Sequence, residues 1–174
     1  MTVNAQTTGS QTSPAITALA GGGFLMAWTD EDVANGDGSS YAVRARIVSS
    51  AGVFTPAADD IDVNTYTTNT QYDPAVATLT NGNVVVTWSS YNQDGSGYGI
   101  YMRLFDATGA ALTGEVRVSE NTLYDQQDPS VIALTTGGFV IGWEDYTIVS
   151  VYTWDAMAQV YGAGRAPEAA LLIG

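Results

Sequence analysis

The sequence contains no cysteine and no histidine among its 174 residues. These absences exclude disulfides, thiol nucleophiles, histidine-ligated zinc and every catalytic triad that depends on histidine. Lysine is absent too. The sequence therefore has five basic residues, all arginine, and 18 acidic residues, which give a net charge of -13. This charge argues against a nucleic-acid backbone or an anionic membrane as a partner, and it favours divalent cations or a neutral partner such as a sugar. No apolar run reaches the roughly 18 residues of a membrane span, and no signal-peptide pattern is visible.

What the sequence has instead is an internal repeat. Gln11, Gln71 and Gln126 each stand three residues before a proline, and each proline stands fourteen residues before a tryptophan. Other positions recur with the same offsets, among them Leu19, Leu79 and Leu134, and a second block with a slightly shorter spacing aligns Arg46 with Arg103. A fixed period of this kind predicts a single repeat domain. Its parts are an N-terminal strand in residues 1–10 and repeats 11–64, 65–119 and 120–174.

Each repeat predicts four short strands, which we name a to d. Strand a is expected to start at the repeated proline, where no ladder donor is needed. A glycine turn, Asn-Gly-Asn at 81–83 in the second repeat, joins it to strand b. Strand b is apolar almost throughout and therefore predicted to be buried on both faces, with its tryptophan in the core. Strand c alternates, strand d is short, and no long helical period occurs, so helix content is expected near zero.

These strands predict an all-β fold of three four-stranded antiparallel repeats, typical of propeller-like blades; an open β-solenoid or a sandwich is the alternative. Three blades do not close a ring. Residues 2–4 match the strand d that ends the first repeat, so they are predicted to be an unpaired strand d. Two chains are therefore expected to join head to tail, as a homodimer or higher ring, into six blades.

The motif order also resembles a known family. The motifs follow one another in a fixed order. First come Gln-x-Asp-Pro, an apolar strand, Asn-Gly or Gly-Gly, and a second apolar strand that ends in tryptophan. Then come Asp-Gly-x-Gly, GIYMRLFDATG and a Val-x-Val-Asn/Ser strand. This order resembles the tandem repeats of large, calcium-associated, type I secreted bacterial surface proteins. The resemblance covers nearly the whole chain, in two good copies and one degenerate copy. It implies export to the bacterial cell surface or beyond, calcium nearby and an adhesive or binding role, but no particular activity.

Antiparallel order places the b–c and d–a loops on one face, where function is predicted because these loops are long, acidic and aromatic. An Asn-x-Asp-Gly-Ser pattern occurs in two b–c loops. Oxygen ligands spaced around a glycine are typical of calcium loops, and an Asx-stabilised turn is the alternative. The candidate ligands are Asp30, Asp32, Asn35, Asp37 and Ser39 in the first repeat and Asn92, Asp94 and Ser96 in the second. Calcium is the only cofactor that the sequence suggests.

The third repeat lacks this loop pattern and has extra aromatic residues, Tyr146, Tyr152 and Trp154. Exposed aromatic side chains are typical anchors for sugars or protein partners. The alternative is that they pack against a neighbouring subunit.

The leading interpretation is a noncatalytic module that binds carbohydrate or another surface ligand. A glycoside hydrolase is one alternative, because two carboxylates across a pocket suffice for that chemistry; a structural spacer repeat is another. The candidate catalytic carboxylates are Asp30, Glu31, Glu144, Asp145 and Asp155. Glu144 and Asp145 are neighbours on a strand, so they point to opposite faces and do not form the pair with each other. The repeated glutamines are predicted to hold the backbone of a loop rather than a ligand.

Overall fold

The computed structural model of the protein describes residues 1–31, 41–56, 59–148 and 152–163. Within these ranges the chain forms twelve strands in three antiparallel sheets and no helix, which confirms the predicted all-β class. It follows that no helix of the described chain is long and apolar enough to cross a membrane.

Each sheet is built from one repeat. The first contains β1 (Gln11–Ala18), β2 (Phe24–Asp30), β3 (Ala42–Val48), β4 (Phe54–Thr55) and β5 (Ile61–Asp62), with β4 and β5 both paired to β3. The second contains β6 (Gln71–Thr78), β7 (Val84–Tyr91), β8 (Tyr98–Phe105) and β9 (Val116–Arg117). The third contains β10 (Gln126–Ala133), β11 (Phe139–Ile148) and β12 (Tyr152–Tyr161). The strand d predicted for the third repeat lies outside the described residues.

Strand a begins at the repeated glutamine, three residues before the predicted start. In β6 the pairing with β7 shifts register between Tyr72 and Ala75, and β1 and β10 shift at the same place. The residue before each proline has a positive φ: Ser13 (48°), Asp73 (50°) and Asp128 (51°). The proline therefore sits in a β-bulge, where its missing N–H is not needed, rather than at the strand end.

The glycine turns between strands a and b form as predicted. In the second repeat Gly82 has φ +86° and donates its N–H to the carbonyl of Leu79 at 2.9 Å. Leu79 in turn donates to the carbonyl of Asn83 at 2.7 Å, which closes the hairpin. A glycine is favoured at this position because other residues rarely adopt a positive φ.

The core lies between the sheets, with the second sheet packed between the first and the third. Val84, Val86 and Trp88 of β7 pack against the first sheet, and Val85 packs against the third. Strand b of the second repeat is thus buried on both faces, as predicted, whereas in the first and third repeats Met26 and Val140 on its other face are only partly buried. The strand b tryptophans are core residues in all three repeats, with exposures of 2% for Trp28, 0% for Trp88 and 7% for Trp143.

Arginine side chains connect neighbouring repeats. Arg46 on β3 donates from Nη1 to the carbonyl of Val3 at 2.9 Å, and Arg103 on β8 donates from Nη1 to the carbonyl of Val63 at 3.1 Å. Each arginine therefore reaches from strand c of one repeat to the segment before that repeat, which explains why it recurs in the sequence.

The strand predicted in residues 1–10 does not form. The segment is held by side chains instead: Asp60 accepts the N–H of Gln6 at 3.2 Å, and Glu115 accepts the N–H of Tyr66, the equivalent of Gln6 one repeat later, at 2.9 Å. A strand d makes its ladder with strand c of its own sheet, as β5 does with β3. Residues 1–10 have no such strand to pair with among the described residues.

Candidate ligand-binding cleft

An open cleft of about 280 Å³ lies between the first and second sheets, at the end of the strands where the b–c and d–a loops are. We call it the first cleft. It lies on the face where the loop composition predicts function. Its lining residues are Thr12, Ser13, Thr29 and Tyr41 from the first repeat and Thr70, Tyr72, Asp73 and Tyr98 from the second.

The first cleft is open because of one difference in side-chain length. Between the second and third sheets, Tyr72 spans the gap and donates its hydroxyl to Oε1 of Gln127 at 2.8 Å. Asp125 also crosses there, with its Oδ1 accepting the N–H of Tyr98 at 3.0 Å. Thr12 holds the position of Tyr72 in the first sheet, since both are the residue before the bulge. A threonine is too short to span the gap, so the space stays open.

The aromatic wall of the first cleft is held in place by ring packing. The ring of Tyr72 meets the ring of Tyr98 edge to face, with centroids 5.1 Å apart and an angle of 77° between the planes. Tyr98 also packs against Tyr91 at 4.9 Å. Tyr41 donates its hydroxyl to Oε1 of Glu31 at 3.2 Å. Rings fixed in this way lose little side-chain freedom when a ligand binds.

The pKa values of the Tyr41, Tyr72 and Tyr98 phenols are all raised above 10. For Tyr72 the cause is mainly burial, followed by Tyr98 and then the negative charge of Asp73. For Tyr98 the cause is burial followed by the charge of Asp125. For Tyr41 the hydrogen bond to Glu31 raises the pKa most. All three hydroxyls are protonated at neutral pH. Those of Tyr41 and Tyr72 already donate to Glu31 and Gln127, so each can still accept a hydrogen bond.

Asp73 is the charged group of the first cleft. Its backbone N–H donates to Oγ1 of Thr29 at 3.1 Å, which fixes the bulge of the second sheet against the first. Its side chain is half-buried and lines the cleft. No described residue makes a hydrogen bond or an ion pair to its carboxylate. The carboxylate is thus available to a ligand.

The aromatic residues predicted in the third repeat form a second feature on the same face. Tyr146 pairs with Trp154 across β11 and β12, and their rings are 4.9 Å apart. Trp154 is 49% exposed. The pair occupies the positions of Tyr91 and Tyr98 in the second sheet. Tyr152 begins β12, and its side chain lies outside the described part of the chain.

Trp154 is therefore not an inserted residue, as the sequence suggested, but the third repeat's version of a repeated aromatic. Tyr98 pairs with Tyr91 and Trp154 pairs with Tyr146, in each case near the end of strand b. In the first sheet Tyr41 directly precedes β3, and its hydroxyl donates to Glu31, the residue after strand b. Each sheet thus presents one such ring at the same end.

The candidate catalytic carboxylates are not gathered in the first cleft. Asp30 is 3% exposed, accepts a hydrogen bond from Nε2 of Gln11 at 3.2 Å and lies 3.9 Å from Nε of Arg44. Glu31 accepts from Tyr41 at the rim. Of the described residues that line the cleft, Asp73 is the acidic one, and the sequence analysis assigned it no catalytic role.

In the third sheet, Asp145 and Asp155 are direct partners in the ladder. Asp145 is 3% exposed, and its Oδ1 accepts from Nδ2 of Asn121 at 3.2 Å. Burial raises the pKa of Asp145 above 3.8. Glu144 is exposed on the opposite face, as the alternation predicts.

The candidate calcium ligands are only partly within the described chain, since Asp32, Asn35, Asp37 and Ser39 lie outside it. In the second loop, Oδ1 of Asp94 accepts the N–H of Ser96 at 3.2 Å, and Asn92 has φ +59°. This is the Asx-stabilised turn that was the alternative interpretation. The described residues contain no group of three or more acidic side chains placed to hold a metal ion. Calcium binding stays a prediction.

The repeated glutamines have the structural role predicted for them. Each donates from Nε2 to the carbonyl three residues earlier in its own d–a loop, at 2.8, 2.9 and 2.9 Å. The donor and acceptor pairs are Gln11 with Thr8, Gln71 with Thr68, and Gln126 with Leu123. These amides hold the loops that enter each sheet.

No protein-family model and no curated protein matches the sequence. The fold is similar to solved structures at low sequence identity. One is a protein of unknown function from Dyadobacter fermentans, with a TM-score of 0.64 and 8% identity over 87% of this chain and 51% of that one. Another is an endo-arabinase from Bacteroides thetaiotaomicron, with a TM-score of 0.58 and 12% identity over 87% of this chain and 57% of that one. The chain spans just over half the length of these proteins, and the likeness concerns the fold.

Proposed function

We propose that this protein is a noncatalytic carbohydrate-binding module and that the first cleft is its binding site. The observation that carries the proposal is the combination of three oriented tyrosines with hydroxyl side chains and one free carboxylate in an open cleft. Aromatic rings offer apolar faces to the C–H groups of a sugar, and their hydroxyls bind its polar edge. The structural likeness to an endo-arabinase adds support at the level of the fold.

The size and polarity of the first cleft suit a short stretch of a sugar chain. Its volume of about 280 Å³ is just below the usual range of small-molecule sites, roughly 300 to 1,000 Å³. Thr12, Ser13, Thr29 and Thr70 supply hydroxyls that can both donate and accept, which matches the hydroxyls of a sugar. A longer chain would continue over the aromatic rings that the other sheets present on the same face, including Trp154.

The test is a glycan array followed by calorimetry with the best ligand. Thr12→Tyr places in the first sheet the residue that closes the gap between the second and third sheets. We expect this variant to fold normally, because Thr12 is exposed, and to lose binding at least about tenfold, which is 1.4 kcal/mol. Thr136→Tyr is the matched control, since Thr136 is an exposed threonine in the a–b turn of the third repeat and does not line the first cleft. Unchanged affinity in Thr12→Tyr would refute the site.

Trp154→Ala tests the aromatic pair of the third sheet separately. Weaker binding of long but not short oligosaccharides would assign Trp154 to an extended sugar site. A change in molecular mass with no change in affinity would assign it to a subunit contact instead.

A glycoside hydrolase is the second candidate, and the Asp145–Asp155 pair is the observation that favours it. A buried carboxylic acid with a raised pKa beside an exposed carboxylate is the arrangement of a general acid and its partner. Turnover of chromogenic glycosides, lost in both Asp145→Asn and Asp155→Asn, is required for this function. Binding without turnover supports the noncatalytic module.

We also propose, from the family resemblance, that the module works outside the bacterial cell with calcium nearby. Calorimetric titration with calcium tests the second part, with Asp94→Ala and Asp37→Ala as variants of the two loops. Heat that disappears in either variant would assign a calcium site to that loop; no heat at millimolar calcium would reject both.

Association with a second copy, head to tail, is proposed from the repeat itself. The second sheet is covered on both faces by its neighbours. The first and third sheets each have one face that no other described sheet covers, and Ile16 and Ile132 are 62% and 63% exposed there. Because the three sheets are built from the same pattern, the open face of one suits the open face of the other.

A further inference from the structure

The first cleft is lined by negative and aromatic groups and lacks positive charge. Asp73 is its one charged side chain among the described lining residues. A ligand that enters this cleft therefore meets a negative potential.

The arginines that could offset this potential are engaged elsewhere. Arg44 lies beside Asp30 and forms an ion pair with Asp62. Arg46 donates to the carbonyls of Val3 and Pro56. Arg103, one repeat further on, is bound in the same way to the carbonyls of Val63 and Thr113 and, like Arg44 and Arg46, does not line the cleft. An acidic ligand would find no described cation to pair with there.

Two features of the first cleft suit a positively charged group. A half-buried carboxylate without a protein partner gains a charge-assisted hydrogen bond when it meets an ammonium group. The faces of tyrosine rings attract cations as well, more strongly where water is excluded. Asp73, Tyr72 and Tyr98 all line the cleft, so both features face the same ligand space.

We propose that the first cleft selects sugars that carry a protonated amino group, such as glucosamine units, with the amine paired to Asp73. This specificity rests on the carbohydrate-binding function proposed above. It also explains how the carboxylate would take part in binding, since a neutral sugar would leave its charge unpaired in a half-buried position.

The experiment compares two oligosaccharides that differ in one chemical group. Oligomers of glucosamine are cationic, and N-acetylglucosamine oligomers of equal length are neutral, so acetylation removes the charge and keeps the sugar. Calorimetry at pH 6 is carried out with each, at low and high salt. We expect the glucosamine oligomer to bind at least about tenfold more tightly, because a hydrogen bond between an ammonium group and a carboxylate is stronger than one between neutral groups. The preference should shrink as salt is added.

Asp73→Asn and Asp128→Asn are the matched variants. Both remove one charge at the same bulge position of consecutive sheets, but only Asp73 lines the first cleft. We expect Asp73→Asn to abolish the preference for the glucosamine oligomer and Asp128→Asn to change it less than about twofold. Thermal unfolding of both variants confirms that they fold. Equal effects of the two substitutions would overturn the assignment of the amine to Asp73.

The other outcomes separate this inference from the function on which it rests. Equal binding of the two oligomers overturns the amino-sugar specificity and leaves carbohydrate binding in place. Binding of a lysine-rich peptide as tightly as the glucosamine oligomer, with the same loss in Asp73→Asn, overturns a sugar in favour of a basic protein segment. No binding to any glycan of the array refutes the proposed function itself.

Discussion

A buried side-chain amide pair connects the end of one repeat to the start of the next, and its loss has a calculable effect. Asn64 accepts the N–H of Val43 at 2.7 Å and donates from Nδ2 to the carbonyl of Tyr66 at 2.9 Å. It also donates to Oε1 of Gln71 at 3.4 Å. Asn64 is 5% exposed and Gln71 is 0% exposed. Asn4 and Gln11 form the same pair one repeat earlier, at 3.1 Å.

The third repeat shows what happens without the asparagine. Ser119 occupies the position of Asn64, and its Oγ still accepts a backbone N–H, from Ile100 at 3.2 Å. A serine is too short to reach Gln126, whose Oε1 is buried and has no donor among the described residues. Each buried acceptor left without a donor costs about 1–3 kcal/mol.

Asn64→Ser should therefore destabilise the protein by about 1–2 kcal/mol, in the lower half of that range because the bond to Gln71 is long. For a chain of this size the thermal midpoint should fall by about 2–4 °C for each kcal/mol. Ser119→Asn should act in the opposite direction, by about 1 kcal/mol, because it supplies the missing donor.

The assay is urea unfolding followed by tryptophan fluorescence, since Trp28, Trp88 and Trp143 are all buried. We compare the free energy of unfolding of the natural sequence with that of Asn64→Ser, Ser119→Asn and the double variant. One common slope of free energy against urea concentration is used for all four proteins. A loss below about 0.5 kcal/mol in Asn64→Ser, less than a typical net hydrogen bond, would refute the reasoning. So would a loss of stability in Ser119→Asn.

Three further predictions concern other parts of the chain. Burial raises the pKa of Asp145, so this carboxyl holds its proton more tightly in the folded than in the unfolded protein, and stability should fall as the pH rises above about 3.8. Asp145→Asn should flatten this decline, measured as the urea midpoint at each pH, and an unchanged pH profile would contradict the assignment to Asp145. Gly97→Ala should destabilise the protein by about 2 kcal/mol or more, because a Cβ there would meet the carbonyl of Tyr124, whereas Gly114→Ala, with open space around it, should be near neutral by calorimetry. Ile16→Asp should reduce the sedimentation mass to that of one chain if the open faces associate; a single-chain mass before substitution would refute the head-to-tail contact.

The regular parts of the fold could be predicted from the sequence because local patterns determine them. The apolar run Val-Val-Val-Thr-Trp predicts a strand buried on both faces, and β7 is such a strand. The start of strand a could not be predicted correctly, because proline is compatible with both a strand end and a bulge. Pairing between β6 and β7 decides between the two, and it places Pro74 in a bulge.

The third repeat shows a second limit. Counting along β12 from Tyr161 places Trp154 seven residues earlier, the same distance that separates Phe105 from Tyr98. Counting forward from the start of the repeat hides this equivalence, because the b–c loops differ in length. The observed register, in which Tyr146 faces Trp154, was needed to recognise the aromatic as a repeated one.

By itself the sequence determined that the chain would form one antiparallel sheet per repeat and that the acidic, aromatic loops would share one face. Period-two patterns, glycine turns and recurring spacings are local, and they act in the same way in each copy. The tertiary structure alone decided which gap between the sheets is a cleft. That outcome depends on Thr12 of one repeat facing residues of the next, where Tyr72 in the equivalent place reaches Gln127 and closes the gap. Side chains from different repeats come into contact only when the sheets pack together. The difference between threonine and tyrosine at this position therefore has its effect only in the packed structure.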